Sequence, residues 1–462
     1  MRREELEKLE KAELIEIILA LNARLIAIET QLHMTSSNSS KPPSSDMWKP
    51  KSQREKSGKK AGGQQGHKGH GLKIEREPDE VIELRAEVCG HCGEAISEEE
   101  SEVIEVRYKI DVEIKSVLTK YEQHKVACRN CEKITTSEFP EGVKSRIQYG
   151  EGVRAVSVLF TNYAMVSYDK TQKIMADVFG VPLSVGTIVN HTREFAKKCK
   201  PVLQEIAEKL KASPVLNCDE TGTRVNGEKQ WIHTASNAEA TYNTVHPKRG
   251  KEGTDDNGVL KDFTGTVVHD CWKTYFKYTN CVHSLCNAHL LRELQGVIDN
   301  TEQVWAGQMQ GLLREMKGVV ESYKANDINE LSEYYNKKFA DDYARIVELG
   351  EQENPLQEGT KKRGKIRCLL DRFVTYQAEI CRFAEDFGVP FDNNQAERDI
   401  RNAKVKQKVS GGFRSDEGAK NFGKISSVVG TALKQGKSAF EAVSGIVSGK
   451  VTSVLKKDFV TE

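Results

Sequence analysis

The stretch Val215-Leu216-Asn217-Cys218-Asp219-Glu220-Thr221-Gly222 constrains this chain most. An apolar run stops at an acidic pair, and a glycine follows. Such a run reads as a short buried strand, and the glycine reads as its end. A carboxylate at that point stands at the rim of a sheet, open to substrate. The pattern returns at Gly265-Thr266-Val267-Val268-His269-Asp270, closing on an aspartate 51 residues after the first. A third acid, Glu397, follows in Asp392-Asn393-Asn394-Gln395-Ala396-Glu397-Arg398. Any one such acid is ordinarily a solvated strand end or a helix cap. Two strand-end aspartates and a later helical glutamate together supply the hard oxygen ligands of a two-metal phosphoryl-transfer site.

At 462 residues the chain exceeds one ordinary core, so several domains are expected. Around the acids, Lys229 to Ala235 and Thr241 to His246 read as strands that make a meander with the first. Val282 to Cys286 reads as a fifth strand running into a helix from Ala288 to Leu294. Residues of about 300–385 are charged and helix-rich, and read as a helical insertion. Strand-strand-strand-helix-strand-helix-strand, with acids on strands one and four and on a late helix, is by analogy the ribonuclease H-like α/β pattern. The catalytic domain is expected over 211–450.

The first half is built differently. Leu14, Ile18, Leu21, Leu25, Ile28 and Leu32 recur at steps of four and three, the seam of a coiled-coil helix over 1–34 that would join copies of the chain. A helix packed on its own domain is the alternative. Residues 35–78 read as a basic flexible linker. Nine Lys and Arg stand against two Glu between Lys49 and Arg76, Lys59, Lys60 and Lys68 among them. Such a run either is solvated or lies along a phosphate backbone. Cys89-Gly90-His91-Cys92 and Cys128-Arg129-Asn130-Cys131 are matched doublets, 35 residues apart. They predict a Cys₄ structural Zn²⁺ site in a zinc ribbon-like β domain over 79–145. The strict alternation of Ile104, Val106, Tyr108, Ile110, Val112 and Ile114 predicts a long strand, with Val117 to Val126 as its partner. Over 146–210, Tyr168 to Phe179, a Gly-Val-Pro turn and Val185 to Phe195 suggest helix, turn, helix. This is a helix-turn-helix that reads DNA or a plain helical hairpin.

Taken whole, the chain is multidomain α+β. The formal net charge of +1 excludes a globally basic nucleic-acid coat, though charge is unevenly placed. No apolar run approaches a membrane span, and eleven cysteines at irregular spacings do not form a secreted disulfide framework. A soluble cytoplasmic protein with reduced thiols is expected. Cys286 and His289 lie i, i+3, but without a second pair in sequence reach they read as structural. Arg398, Arg401, Lys404, Lys406 and Lys408 follow the third acid closely and read either as phosphate-backbone contacts or as a solvated basic face.

These pieces resemble the insertion-sequence-66 family of transposases over almost the whole chain. The matching segments are Asn38-Ser39-Ser40-Lys41-Pro42-Pro43-Ser44-Ser45-Asp46, Gly62-Gly63-Gln64-Gln65-Gly66-His67-Lys68-Gly69, the Cys doublets, Asp219-Glu220-Thr221 and Asp270 with Tyr275. Cys286-Asn287-Ala288-His289 with Arg292, and Asn393-Asn394-Gln395-Ala396-Glu397-Arg398, complete the set. The resemblance implies an acidic-triad transposase with Asp219, Asp270 and Glu397 holding Mg²⁺ or Mn²⁺. It also implies a zinc-binding domain and an insertion before the third acid. Partners would be the terminal inverted repeats of the element, target DNA and, for some members, small accessory proteins. The chain would then sit on the bacterial nucleoid when DNA-bound. A nuclease of the same fold without strand transfer, and a DNA-binding zinc protein with an inactive catalytic half, are the competing readings.

The basic excess between Lys49 and Arg76 carries a prediction. Deleting residues 49–76 will flatten the dependence of DNA affinity on salt, because fewer counterions are released. An unchanged slope in a salt titration of binding would make the segment a linker.

Overall fold

The computed structural model describes residues 18, 21, 74, 76–96, 103–356 and 364–455. Most of the expected coiled coil and all of Lys59, Lys60 and Lys68 lie outside these residues. Ile18 and Leu21 are helical and exposed. The chain divides into two compact units, Lys51–Lys115 and the remainder.

In the smaller unit, residues 87–96 fold back around Cys89. The Cys89 N–H donates to the Glu94 carbonyl at 2.8 Å, and the Gly93 N–H to the Cys89 carbonyl at 2.9 Å. The larger unit holds the same turn around Cys128. Its N–H donates to the Lys133 carbonyl at 2.9 Å, and the Glu132 N–H to the Cys128 carbonyl at 2.8 Å. That turn joins β1 (Lys125–Ala127) to antiparallel β2 (Ile134–Thr136).

The long strand expected over 104–114 does not form, and residues 103–124 carry no strand. Ile104, Val106, Ile110 and Val112 stay exposed. Alternation supplies only a face; a strand also needs a ladder partner and something to bury that face against. The tight turn at Cys128 returns residues 134–136 to residues 125–127, so a short local hairpin forms instead.

Four helices follow: α1 (Glu151–Asn162), α2 (Tyr168–Asp177), α3 (Val185–Lys198) and α4 (Lys200–Lys211). Ser167 caps α2 by accepting from the Lys170 N–H, and Ser184 caps α3 by accepting from the Thr187 N–H. Gly180 takes φ +63° in the turn between them, a conformation glycine adopts without penalty. Met175, Leu183 and Ile188 form the small core beneath that turn. The expected helix, turn and helix are therefore present.

Next comes a five-stranded mixed sheet: β3 (Val215–Val225), β4 (Glu228–Ser236), β5 (Thr241–His246), β6 (Thr266–His269) and β7 (Val282–Leu285). The spatial order is β5-β4-β3-β6-β7. β3, β4 and β5 are an antiparallel meander, while β3–β6 and β6–β7 are parallel. Two details differ from the expectation. β3 does not stop at Gly222, because β4 pairs with it through Val225↔Glu228 around an Asn226-Gly227 turn with positive φ at both residues. A 3₁₀ turn, Tyr275–Lys277, stands between β6 and β7 where a helix was expected. The helix between β5 and β6 is the short α5 (Lys251–Asn257).

After β7, α6 (Asn287–Asn300) leads into the insertion: α7 (Val304–Ala325), α8 (Glu333–Glu353), α9 (Lys365–Thr375) and α10 (Gln377–Glu385). These helices share with α6 and with Leu285 of β7 one core around Trp305, Met309, Tyr343 and Phe373, distinct from the core under the rest of the sheet. Then α11 (Asn394–Ser410) crosses β3 and β4, α12 (Asp416–Lys434) lies along β5, and α13 (Ala439–Ser448) packs on α1. The β5 edge is closed by hydroxyls of α12. Thr431 accepts from the Thr241 N–H at 3.0 Å, and Ser427 from the Asn243 N–H at 2.8 Å. Among the described residues, no helix is long and apolar enough to cross a membrane.

Trp305 is fully buried, donates from its indole to Gln303, and lies against Gly350. Trp305→Ala will cost about 3–5 kcal/mol through lost burial and the cavity left behind. Hydrogen exchange will then quicken across 304–385 and leave β3–β7 protected. Uniform loss of protection in both regions would show that the insertion has no separate core.

Candidate active site

Parallel pairing decides where the two aspartates stand. Val215, Leu216 and Asn217 pair with Thr266, Val267 and Val268, a constant offset of 51 residues. Asp219 and Asp270 share that offset, so they come level where the parallel ladder ends, on strands about 4.8 Å apart. The Glu220 N–H donates to Asp219 Oδ1 at 2.9 Å, and the Trp272 N–H to Asp270 Oδ1 at 3.1 Å.

Glu397 arrives from the far end of the chain on α11, and Asn393 fixes that helix. The Asn393 side chain donates to the Cys218 carbonyl at 2.7 Å and accepts from the Asn217 side chain at 3.0 Å. Its backbone N–H donates to Cys286 Sγ at 3.2 Å. The first turn of α11 is thus tied to the two residues before Asp219 and to the residue before α6. Asn393 is the N-cap residue of α11, its side chain engaged on β3, while Asp392 accepts from the Asn394 N–H at 3.0 Å. Gln395 bonds forward to Asp399.

The three acids are close enough to feel one another's charge. Asp219 is held well above the usual carboxylate range, first by burial, then by the negative charges of Glu220, Asp270 and Glu397. Burial also raises Asp270. Glu397 does not form the surface pair with Arg401 that helical spacing allows. Its nearest basic groups are the His289 imidazole, kept neutral by burial, with Nδ1 at 3.7 Å, and the Arg292 guanidinium at 3.9 Å, both from α6. Glu397 Oε1 and His289 Nδ1 are buried atoms without a hydrogen-bond partner. Cys286 and His289, read from sequence as structural, therefore meet the third acid.

A cavity of about 280 Å³ opens beside Asp270, lined by Arg249, Trp272, Cys286, His289 and Arg372. Arg249 pairs with the buried Glu220 at 2.6 Å and stacks over Trp272 and Trp231, 4.2 and 4.9 Å from the ring centres. Tyr275 donates its hydroxyl to the other Glu220 oxygen at 2.6 Å. Burial, followed by the charge of Asp270, pushes Glu220 up to about 7. Arg249 carried no sequence signal: it lies in a loop after β5 and reaches the site only through folding. A larger cavity, about 700 Å³, opens at the start of β3 beside Arg398, and its lining includes none of the three acids.

The expected basic contacts divide. Arg398, Arg401 and Lys408 are exposed on α11. Lys404 is exposed as a residue, but its ammonium donates to the Gly222 carbonyl at 2.8 Å. Lys406 is not available to a phosphate. It is buried and donates to the Thr161 carbonyl at 3.0 Å, tying α11 to α1. Ala396, Ile400 and Ala403 are buried on the same helical face, and Lys406 continues their stripe.

In each cysteine doublet, backbone N–H groups donate to the first sulfur and hold its thiol below the usual range. They come from Cys92 and His91 at Cys89, and from Asn130 and Cys131 at Cys128.

The model of the family described as Transposase IS66 family matches residues 146–421, more than half of the chain. The chain belongs to the IS66 transposase family. A transposase role follows, with DNA as the partner that role requires. The match spans α1 to α4, the sheet, the insertion, α11 and the start of α12. A family of unknown function (DUF6444) matches residues 1–73. No curated protein matches the chain.

The acidic site predicts a pH dependence. Unfolded carboxyls ionise near 3.8 (Asp) and 4.5 (Glu), whereas folded Glu220 keeps its proton to about 7. The folded state therefore binds more protons in that window, and stability falls as pH rises from about 4.5 to 7. Glu220 contributes of order 3 kcal/mol to the fall. Unfolding measured against pH will show the decline, and Glu220→Gln will shrink it. A flat profile through this window would contradict the arrangement.

Proposed function

We propose that this IS66-family chain is an acidic-triad DNA transposase: a ribonuclease H-like domain whose Asp219, Asp270 and Glu397 hold divalent cations during strand cleavage and strand transfer at element ends. One observation carries the reading. Acids from β3, from the end of β6 and from α11 lie close enough for Asp270 and Glu397 to raise the carboxyl of Asp219. The strand order β5-β4-β3-β6-β7, with two acids at the end of its parallel pair, supports the fold assignment.

The residues fit a cation. Three carboxylates that repel one another, one with a buried oxygen lacking a partner, lose that cost when a divalent ion is shared between them. Mg²⁺ or Mn²⁺ bound there supplies the Lewis acidity and charge neutralisation of two-metal phosphoryl transfer. The protein supplies the rest. Asn393 holds Glu397 at a fixed height over β3. Arg249, fixed by Glu220 and two tryptophans, presents a guanidinium beside Asp270 for the phosphate in play. Exposed Arg398 and Arg401 line α11 toward the flanking backbone. No side chain is asked to become covalently linked to DNA.

The remaining assignments extend this reading. The doublets Cys89/Cys92 and Cys128/Cys131 have the N–H-to-sulfur turns of thiolate ligands and would hold structural Zn²⁺. The capped pair α2 and α3 would enter DNA as a helix-turn-helix. The 1–34 segment would join copies of the chain.

Cleavage of an element-end DNA decides. Asp219→Asn, Asp270→Asn and Glu397→Gln will each lower Mg²⁺-dependent cleavage by about 10²-fold or more while DNA binding persists. Near-normal cleavage by Glu397→Gln removes it from the triad. A pre-cut end that is never joined to target DNA by the wild type leaves a nuclease.

A further inference from the structure

Cys286 ends the loop after β7, His289 stands one turn into α6, and Glu397 faces them from α11. One donor atom from each, the thiol sulfur, an imidazole nitrogen and a carboxylate oxygen, lies within 4.8 Å of the other two. His289 Nδ1 and Glu397 Oε1 are 3.7 Å apart, too far to bond each other, and both are buried without a partner. Buried polar atoms are rarely left so, because each loses its hydration without recompense. The sulfur is different: it already accepts the Asn393 N–H. Burial nonetheless pushes the Cys286 thiol up to about 12, the Asn393 N–H offsetting only part of the rise, so a cation must displace its proton.

We propose that Cys286, His289 and Glu397 form a binding site for a thiophilic divalent cation, Zn²⁺ before others, with a fourth position open. The donor set selects the ion. Thiolate and imidazole are poor ligands for Mg²⁺, whereas sulfur, nitrogen and one carboxylate oxygen are the ordinary set for zinc. The spacing is close to what zinc needs. Tetrahedral arms of about 2.0–2.3 Å place their donors roughly 3.4–3.6 Å apart, so small side-chain adjustments complete the shell. Binding costs the Cys286 thiol its proton, which goes to solvent. Arg292, 3.9 Å from Glu397, shares the carboxylate in the metal-free site and would be displaced toward solvent.

The site stands beside the acidic triad and shares only Glu397 with it. A cation there would lock the third acid to α6, joining the sheet and the insertion at one point. It is separate from any zinc held by the cysteine doublets, which all variants below retain.

The test counts metal in the full-length protein. Wild type, Cys286→Ser, His289→Asn and Glu397→Gln are loaded with Zn²⁺, dialysed and measured by elemental mass spectrometry, with circular dichroism confirming the fold. Each variant will retain one zinc per chain fewer than wild type. With Co²⁺ in place of zinc, sulfur-to-cobalt charge-transfer absorption will drop in Cys286→Ser. If Cys286→Ser does not fold, the other two variants decide, since both side chains are partly exposed. Equal zinc in wild type and the folded variants overturns the proposal. Glu397→Gln that loses zinc yet cleaves DNA leaves this site standing and removes the triad. Glu397→Gln that keeps its zinc and fails to cleave does the reverse.

Discussion

A buried asparagine holds the halves of this site together. Asn393 reaches the Cys218 carbonyl and the Asn217 amide across more than 170 residues of sequence, and its own N–H meets Cys286. Side-chain amides are costly to bury without partners, and here both the amide nitrogen and the oxygen have one. The consequence is positional. Glu397 lies one helical turn beyond Asn393, so its height over the sheet is set by bonds to the residues that precede Asp219. Strand register does the same for the two aspartates, since a slip of one residue would turn Asp219 or Asp270 to the opposite face.

What those constraints assemble is electrostatically strained. Carboxyls at positions 219, 220 and 270 are all raised by burial, and the charges near them are mostly their own kind. Arg249 relieves Glu220 and, from farther off, Asp270, while Asp219 has no comparable cation. Buried acids arranged this way cost stability, the usual trade of stability for function at a site.

Much of this was legible in the sequence, for local reasons. The Gly-Val-Pro turn between two helical runs marked α2 and α3. Apolar runs marked all five strands of the sheet, and the absence of strand punctuation marked the insertion. The failures were non-local. Gly222 looked like a strand end, but β4 extends the ladder past it. The alternation at 104–114 looked like a strand, but nothing pairs with it there. Lys406 looked like a phosphate contact because charge was weighed and helical phase was not. Its place three residues after Ala403 and six after Ile400 already put it on the buried face. Arg249 and the meeting of Cys286, His289 and Glu397 required the tertiary fold, since no short spacing encodes contacts over more than a hundred residues.

The insertion leaves the sheet through α6 and returns through the segment before α11. The two ends are clamped side by side, with the Asn287 N–H on the Phe391 carbonyl at 3.1 Å. The entry and the exit of the insertion are thus neighbours, with His289 just inside one and Glu397 just beyond the other, so this single joint sets how far Glu397 stands from α6.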